Sequence, residues 1–101
     1  MGQIRWTKKA LSQLERNISY ISQEQSKVYA ETVLVRIFTA IDLLHNNPRM
    51  GTIEPFLEYR NKEYRYLVVW SYKIIYKVHH DDSILIARVF HTAQNPLKIK
   101  R

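Results

Sequence analysis

YKIIYKVHHDDSILIARVFH, residues 72–91, contains two apolar stretches separated by a short polar one. Every second residue of the first stretch is apolar or aromatic, which is the period of a strand with one buried face. These residues are Tyr72, Ile74, Tyr76 and Val78. HDDS supplies turn-forming aspartates, and ILIARVFH is rich in strand-forming residues. The stretch therefore predicts a β-hairpin, which EYRYLVVW at 63–70 extends to a three-stranded antiparallel meander.

Two amphipathic helices are predicted before this meander. The first follows Thr7, a helix-capping residue, and covers about residues 8–23. The second follows Ser26 and ends before Pro48 and Gly51, which disfavour helical backbone. The apolar stripes are spaced by three and four residues. They comprise Leu11, Leu14, Ile18 and Ile21 in the first helix and Val33, Ile37, Ile41 and Leu44 in the second.

The order of these elements predicts the fold class. QIRW at 3–6 can form a short first strand, which makes the order β-αα-βββ. A short connection between two helices implies an antiparallel pair, and the apolar sheet face needs a cover. We therefore predict a two-layer α+β domain over residues 1–101, in which a helical hairpin packs on an antiparallel sheet.

Composition limits the functional classes. The net charge of +7 attracts polyanions and acidic protein segments. The absence of cysteine excludes disulfides, zinc–thiolate sites and a thiol nucleophile. Because no His/Asp/Glu spacing suits a metal and no Gly-rich phosphate loop is present, we expect neither a metal nor a cofactor. The start of the chain is not a signal peptide and its apolar runs are too short for a bilayer, so a cytoplasmic location without membrane contact is expected.

Four segments carry a family resemblance that covers nearly the whole chain. They are ALSQLERNISYIS, AIDLLHNNPRMG, EYRYLVVWSYKIIYKV and ILIARVFHTAQNP. In this order the chain resembles the RelE/ParE family of bacterial toxins, and most closely its ParE-like, plasmid-stabilisation branch. The resemblance implies a toxin of a type II toxin–antitoxin pair, held inactive by a cognate antitoxin. RelE-like members bind the ribosome and cut mRNA, whereas ParE-like members act on DNA gyrase without cutting nucleic acid.

Three residues are candidates for catalysis if the chain is a nuclease. Metal-independent RNA cleavage needs a base, an acid and cations, which His91, Arg65 and Arg88 could supply. His91 could instead be a structural residue at a strand end. Arg88 and His91 point to opposite faces of a regular strand and converge only if the strand bulges or ends between them. Ala93 and Gln94 also stand where ParE-like relatives often carry arginine, which weakens the nuclease interpretation.

The same residues are candidates for binding the target. Arg65 matches the family's strand arginine, although it could instead pair with Glu54, Glu58 or Glu63. The other predicted target-binding residues are Arg88, His91, Lys98 and Lys100. A basic meander and tail, with Lys73, Lys77 and Arg101, could bind a polyanion, protect a sheet edge or complement an acidic antitoxin.

The favoured hypothesis is a ParE-like toxin that inhibits growth by acting on DNA gyrase. One alternative is a ribosome-dependent mRNA endoribonuclease of the RelE type. Another is a degenerate, non-toxic protein that still binds the antitoxin. These alternatives leave open whether the chain is an enzyme.

Overall fold

The computed structural model describes residues 3–54 and 63–93, which form two helices on one five-stranded sheet. The elements are β1 (Ile4–Trp6), α1 (Lys8–Glu24), α2 (Lys27–Asp42), a 3-10 turn (Leu43–His45), β2 (Thr52–Ile53), β3 (Glu63–Val69), β4 (Tyr72–Val78) and β5 (Ile84–His91). The strand order across the sheet is β1-β5-β4-β3-β2. The predicted α+β class is confirmed, and every element of the predicted β-αα-βββ order is present, with one further strand, β2, between the helices and the meander. No helix in the described ranges is long and apolar enough to cross a membrane.

The sheet is mixed, whereas the sequence analysis predicted an antiparallel one. The meander β3-β4-β5 is antiparallel as predicted, but β1 pairs in parallel with β5, with Ile4 opposite Ile84. The helical hairpin carries the chain away from β1, so that the meander returns its last strand alongside the first. β2 is an additional edge strand that was not predicted, in which Thr52 and Ile53 pair with β3.

Both helices begin at the predicted caps. The hydroxyl of Thr7 accepts a hydrogen bond from the N–H of Ala10 at 3.0 Å, and the hydroxyl of Ser26 accepts one from Tyr29 at 2.9 Å. One residue of the first predicted stripe was wrong. Leu11 is 43% exposed, and Ala10 is buried in its place because the inward face of α1 lies one residue earlier there.

The main core lies between the helices and the meander. The four alternating residues of β4 predicted to share a face all lie in this core, together with Ile84, Ile86 and Val89 of β5. The helices pack their buried apolar residues against this face of the sheet. These comprise Ala10, Leu14 and Ile21 of α1 and Ala30, Val33, Ile37 and Ile41 of α2.

A β-bulge at Ala87 interrupts the pairing of β5 with β4. Arg88 pairs with Ile75 and Ile86 pairs with Tyr76, so Ala87 has no partner residue in the ladder. Groups from the start of α1 hold this part of the strand, which extends past the end of β1. The Thr7 hydroxyl donates to the Ala87 carbonyl at 3.3 Å, and the Val89 N–H donates to Gln13 Oε1 at 2.8 Å. The bulge resets the alternation, so both Ile86 and Val89 face the helices.

A second, smaller apolar cluster lies on the sheet face away from the helices. We call it the outer cluster; it consists of Ile75 and Phe90, which are buried, and Tyr64 and Tyr66, which are half-buried. Because register partners share a face, Arg88 also lies on this side of the sheet, opposite Ile75.

Candidate functional site

Arg88 is a half-buried cation at the outer cluster. Its Nη1 donates a hydrogen bond to the carbonyl of Ala87 at 2.8 Å, while its Nε is buried and has no hydrogen-bond partner. Within residues 3–54 and 63–93, no carboxylate lies within ion-pair distance of this guanidinium. A half-buried cation without a counter-charge is costly, so it is suited to an anionic or carbonyl group from outside the chain.

His91 lies on the opposite side of the sheet from Arg88. It is the register partner of Tyr72, a main-core residue, and the two rings meet edge to face with centroids 5.4 Å apart. Its Nδ1 accepts a hydrogen bond from the N–H of Ala93 at 3.1 Å. Arg88 and His91 would converge only if the strand bulged between them. The bulge lies at Ala87, before Arg88, and therefore does not bring them together.

Arg65 also faces the helices, but it lies at the other end of the meander. It pairs with Tyr76 in the ladder, four residues along β4 from the partner of His91, which corresponds to roughly 13 Å. Its Nε donates to Glu63 Oε2 at 2.6 Å and its Nη1 donates to the Gly51 carbonyl at 2.8 Å. The side chain is only 19% exposed. Of the interpretations considered for Arg65, the geometry corresponds to the structural pairing with Glu63.

The three residues proposed for catalysis are therefore not assembled. Arg88 is on the outer face, whereas His91 and Arg65 are on the helix face and far apart. Lys98, Lys100 and Arg101 of the predicted basic tail, together with Gln94 and Glu58, lie outside the described residues. The target-binding role of each predicted residue stays a prediction.

Lys73, one of the predicted basic residues, is paired with a buried carboxylate. Its Nζ lies 2.9 Å from Glu54 Oε2 and donates to Oε1 at 3.3 Å, and Glu54 is fully buried. The contact with Oε2 is an ion pair without hydrogen-bond geometry, which leaves that oxygen unsatisfied. The ammonium also lies 4.2 Å from the centroid of the Tyr66 ring. The charge of Lys73 is thus largely neutralised inside the protein, and Arg88 is more available to a partner.

The PRMG segment, residues 48–51, is anchored by a polar network at the other end of the meander. Arg49 binds Glu63 at 3.1 Å and Asp82 at 2.7 Å, and Glu63 also binds Arg65. Burial alone would raise the pKa of Glu63, but the hydrogen bonds from Arg65 and Arg49 outweigh it and lower that pKa. The buried hydroxyl of Tyr76 accepts a hydrogen bond from the N–H of Gly51 at 2.9 Å.

An aromatic cluster at the turn between β3 and β4 was missed by the sequence analysis. Trp70 has a φ of 55° and is 46% exposed. Its ring stacks on Tyr29 with centroids 5.8 Å apart, and Arg36 Cζ lies 5.6 Å from its centroid. A bulky residue in the left-handed region costs about 1–3 kcal/mol, which the surrounding structure must offset. The signal in the sequence was a tryptophan at a two-residue hairpin turn, where Gly, Asn or Asp is usual.

A family comparison matches this architecture. The model described as "ParE toxin of type II toxin-antitoxin system, parDE" matches residues 4–96. The chain belongs to the ParE toxin family. This match confirms the family resemblance drawn from the sequence. The matched range includes the PRMG segment and the β5 strand that carries Arg88.

The fold comparison agrees. A solved structure titled "Chromosomal ParDE TA system from P. aeruginosa" superimposes with a TM-score of 0.71 at 20% sequence identity, covering 90% of this chain and 96% of that chain. At that identity the likeness concerns the fold. No curated protein sequence matches the chain.

Proposed function

We propose that this ParE-family chain inhibits growth by binding DNA gyrase in the cytoplasm and that a cognate antitoxin neutralises it. The observation that carries the proposal is Arg88, a half-buried guanidinium with an unpartnered Nε beside the outer cluster. Family membership supports the toxin class, and Arg88 supports binding as the mode of action.

The surroundings of Arg88 favour a protein partner. Aromatic residues and arginine are enriched at the energetic centres of protein interfaces. Arg88 lies on the same face as Phe90 and the half-buried Tyr64 and Tyr66. A carboxylate or carbonyl of the target could accept hydrogen bonds from the half-buried Arg88 guanidinium and balance its charge, while the tyrosines supply contact area. This is the composition of an interface hot spot.

The nuclease alternative is less well supported by the same geometry. General acid–base catalysis requires the proton-transferring group within hydrogen-bond reach of the reacting atoms. His91 and Arg88 lie on opposite faces of the sheet, and Arg65 is held by Glu63 and Gly51. A phosphate bound by Arg88 would thus have neither residue beside it. Rearrangement on the ribosome would be needed to bring them together.

Purified protein tests the proposal directly. Wild type should inhibit supercoiling by DNA gyrase, and Arg88→Ala should raise the inhibitory concentration about 30-fold or more, because truncating one partner of a buried charge pair costs at least about 2 kcal/mol. Arg88→Lys should recover only part of this loss, since lysine lacks the planar fork. Arg16→Ala removes the same charge from the exposed surface of α1 and should change little.

Induced cells separate the three candidate functions. SOS induction and trapped gyrase–DNA complexes with intact mRNA would support the proposal. Codon-associated mRNA breaks with normal DNA topology would contradict it and favour the endoribonuclease. Normal growth with folded protein that still binds the antitoxin would favour the degenerate alternative.

A further inference from the structure

A groove of about 920 Å³ lies where β1 meets the turn between β4 and β5. Its apolar lining is Ile84 and Leu85, and its polar lining is Gln3, Arg5, His79, His80, Asp81 and Ser83. We call these eight residues the rim groove. Each of the polar side chains is exposed or half-buried and can therefore be reached by a ligand. None of the eight belongs to the outer cluster or to the PRMG network.

The strand register places Arg5 of the rim groove in one row with Lys77. Arg5 lies opposite Leu85 of β5, and Leu85 lies opposite Lys77 of β4. Because register partners share a face, this row lies on the outer face, which also carries Arg88. Adjacent strands are about 4.8 Å apart, so the backbones of Arg5 and Lys77 are roughly 10 Å apart. The register partner of Arg88 lies two residues along β4 from Lys77, or roughly 7 Å.

Arg5 is an oriented cation without a counter-charge. Its Nε and Nη2 donate to Gln3 Oε1 at 3.2 and 3.0 Å, so a neutral amide holds the guanidinium and leaves its charge intact. Within residues 3–54 and 63–93, no carboxylate lies within ion-pair distance of it. The side chain is exposed, and three of its five N–H groups remain to donate to a ligand. Such a group is suited to an anion.

The carboxylates beside the rim groove are held by other groups. Asp81 Oδ1 accepts hydrogen bonds from the Ser83 N–H at 3.0 Å and from the Ser83 hydroxyl at 2.6 Å, which closes the turn. Asp82 is paired with Arg49 at 2.7 Å. The single charge of Asp81 is therefore outnumbered by the cations of the row, and the rim groove with its neighbourhood on the outer face is positive.

The residue types of the rim groove match a phosphate backbone. Phosphate oxygens in protein–DNA complexes accept hydrogen bonds mainly from Arg, Lys, Ser and Gln side chains and from backbone N–H groups. The two histidines add one N–H donor each even when they are neutral. Proteins that bind single strands stack the bases on aromatic rings, and the described lining of the groove contains no Phe, Tyr or Trp. A duplex, which presents its phosphates outward and keeps its bases paired, suits this lining better than a single strand.

We propose that the rim groove binds the phosphate backbone of the duplex DNA on which gyrase acts, an inference that rests on the proposed function. Arg88 and the outer cluster would contact the gyrase protein, while Arg5 and Lys77 contact the DNA beside it. Both contacts are possible at once because all three cations lie on one face of the sheet. The toxin would then bind the gyrase–DNA complex more tightly than gyrase alone. Contacts to phosphates carry no sequence information, so any duplex should serve.

Duplex binding by the purified full chain is the direct test. The probe is a fluorescein-labelled duplex of about 20 base pairs, with anisotropy measured between about 50 and 200 mM salt. Each neutralised phosphate changes the slope of log affinity against log salt by about 0.9, which corresponds to about eightfold in affinity at 0.1 M salt. Arg5→Ala should therefore bind about eightfold more weakly, with a slope shallower by about one. Arg5→Lys should stay within twofold of wild type, because a point charge suffices for a phosphate.

Two further variants separate the groove from the overall charge. His80→Glu introduces a negative charge at an exposed groove position and should weaken duplex binding by as much as Arg5→Ala. Arg16→Ala removes one positive charge from the exposed surface of α1 and should stay within twofold of wild type.

Gyrase binding separates this inference from the proposed function. Without DNA, Arg5→Ala should bind gyrase as tightly as wild type, whereas Arg88→Ala should bind it more weakly. With DNA present, wild type should bind more tightly than without it, and Arg5→Ala should lose that gain. Its inhibitory concentration in the supercoiling assay should rise accordingly.

Several results would overturn the inference. Wild type that inhibits gyrase but binds no duplex would overturn it and leave the proposed function standing. Equal effects of Arg5→Ala and Arg16→Ala would assign duplex binding to net charge alone. Tighter binding of single-stranded RNA than of duplex DNA would contradict the assigned ligand. Weaker gyrase binding by Arg5→Ala without DNA would make the groove a protein contact. If wild type fails to bind gyrase but binds duplex through Arg5, the proposed function fails and the rim groove stands as a DNA site.

Discussion

Replacing Gly51 with alanine should destabilise the protein strongly, because there is no room for a methyl group. A Cβ built on Gly51 would lie 2.5 Å from the Tyr76 hydroxyl oxygen and 2.6 Å from the carbonyl oxygen of Tyr66. The Tyr66 oxygen belongs to the backbone of β3, which is paired on both sides by β2 and β4. That atom cannot move without disturbing the sheet.

The expected cost combines three effects. Overpacking a well-filled site typically costs about 1–3 kcal/mol. Moving the Tyr76 hydroxyl away would break its hydrogen bond with the Gly51 N–H, and a buried group left unpaired costs about 1–3 kcal/mol. The lower backbone entropy of alanine in the unfolded chain offsets about 0.4–1 kcal/mol. A net loss of about 1–6 kcal/mol is expected, with a midpoint that is a large part of the roughly 5–15 kcal/mol that stabilises a typical domain.

Urea unfolding followed by circular dichroism measures this loss. The midpoint should fall while the dependence of free energy on urea stays the same. Tyr76→Phe removes one of the two obstructing atoms, so the double variant should be more stable than the sum of the single effects predicts. It should not recover wild-type stability, because the Tyr66 carbonyl remains. A Gly51→Ala protein within about 0.5 kcal/mol of wild type, the range of ordinary surface substitutions, would refute the steric reasoning.

Three further changes probe the network and the caps. Acidification should destabilise the fold, because the pKa of Glu63 is lowered in the folded protein. The stability that Glu63 contributes is fully present above its unfolded pKa of about 4.3 and is lost as pH falls through the folded pKa. Urea unfolding midpoints measured from pH 7 to 3 should therefore decline less steeply in Glu63→Gln than in wild type. Thr7→Ala should cost about 1–2 kcal/mol by removing the α1 cap and the bond to the Ala87 bulge, and an unchanged melting temperature would contradict this. Arg65→Ala should lower the melting temperature while leaving gyrase inhibition by the folded fraction intact; weakened inhibition by a fully stable variant would instead support the target-binding prediction.

The helices and the meander could be predicted because their signals are local. The caps at Thr7 and Ser26 depend on a hydroxyl and an N–H three residues away, and the alternation along β4 depends only on which face is buried. The two residues of β2 are too few to show a period. The parallel pairing of β1 depends on where a strand 80 residues later returns, as the register of Ile4 with Ile84 shows.

The candidate site was less predictable, because it depends on which groups meet across the sheet. Arg88 lies in a strand as predicted, but nothing local shows that its Nε lacks a partner. Arg65 looked equivalent in the sequence, and only the neighbouring strand and loop reveal its bonds to Glu63 and Gly51. Trp70 was taken as the end of a strand, because its positive φ follows from the turn that joins β3 to β4.

The bulge at Ala87 decides on which face of the sheet the charge of Arg88 lies. Counted outward from Ile84 and Ile86 without the bulge, residue 88 would fall on the core side and residue 89 on the outer side. The extra residue exchanges them. Deleting Ala87 would leave a regular ladder in which Arg88 keeps the outer face and Val89 stays in the core, whereas pairing Ala87 regularly with β4 would drive the guanidinium into the core and turn Val89 outward. Aligning this strand without a gap at Ala87 to a ParE-like chain that lacks the bulge would therefore equate Arg88 with a core position.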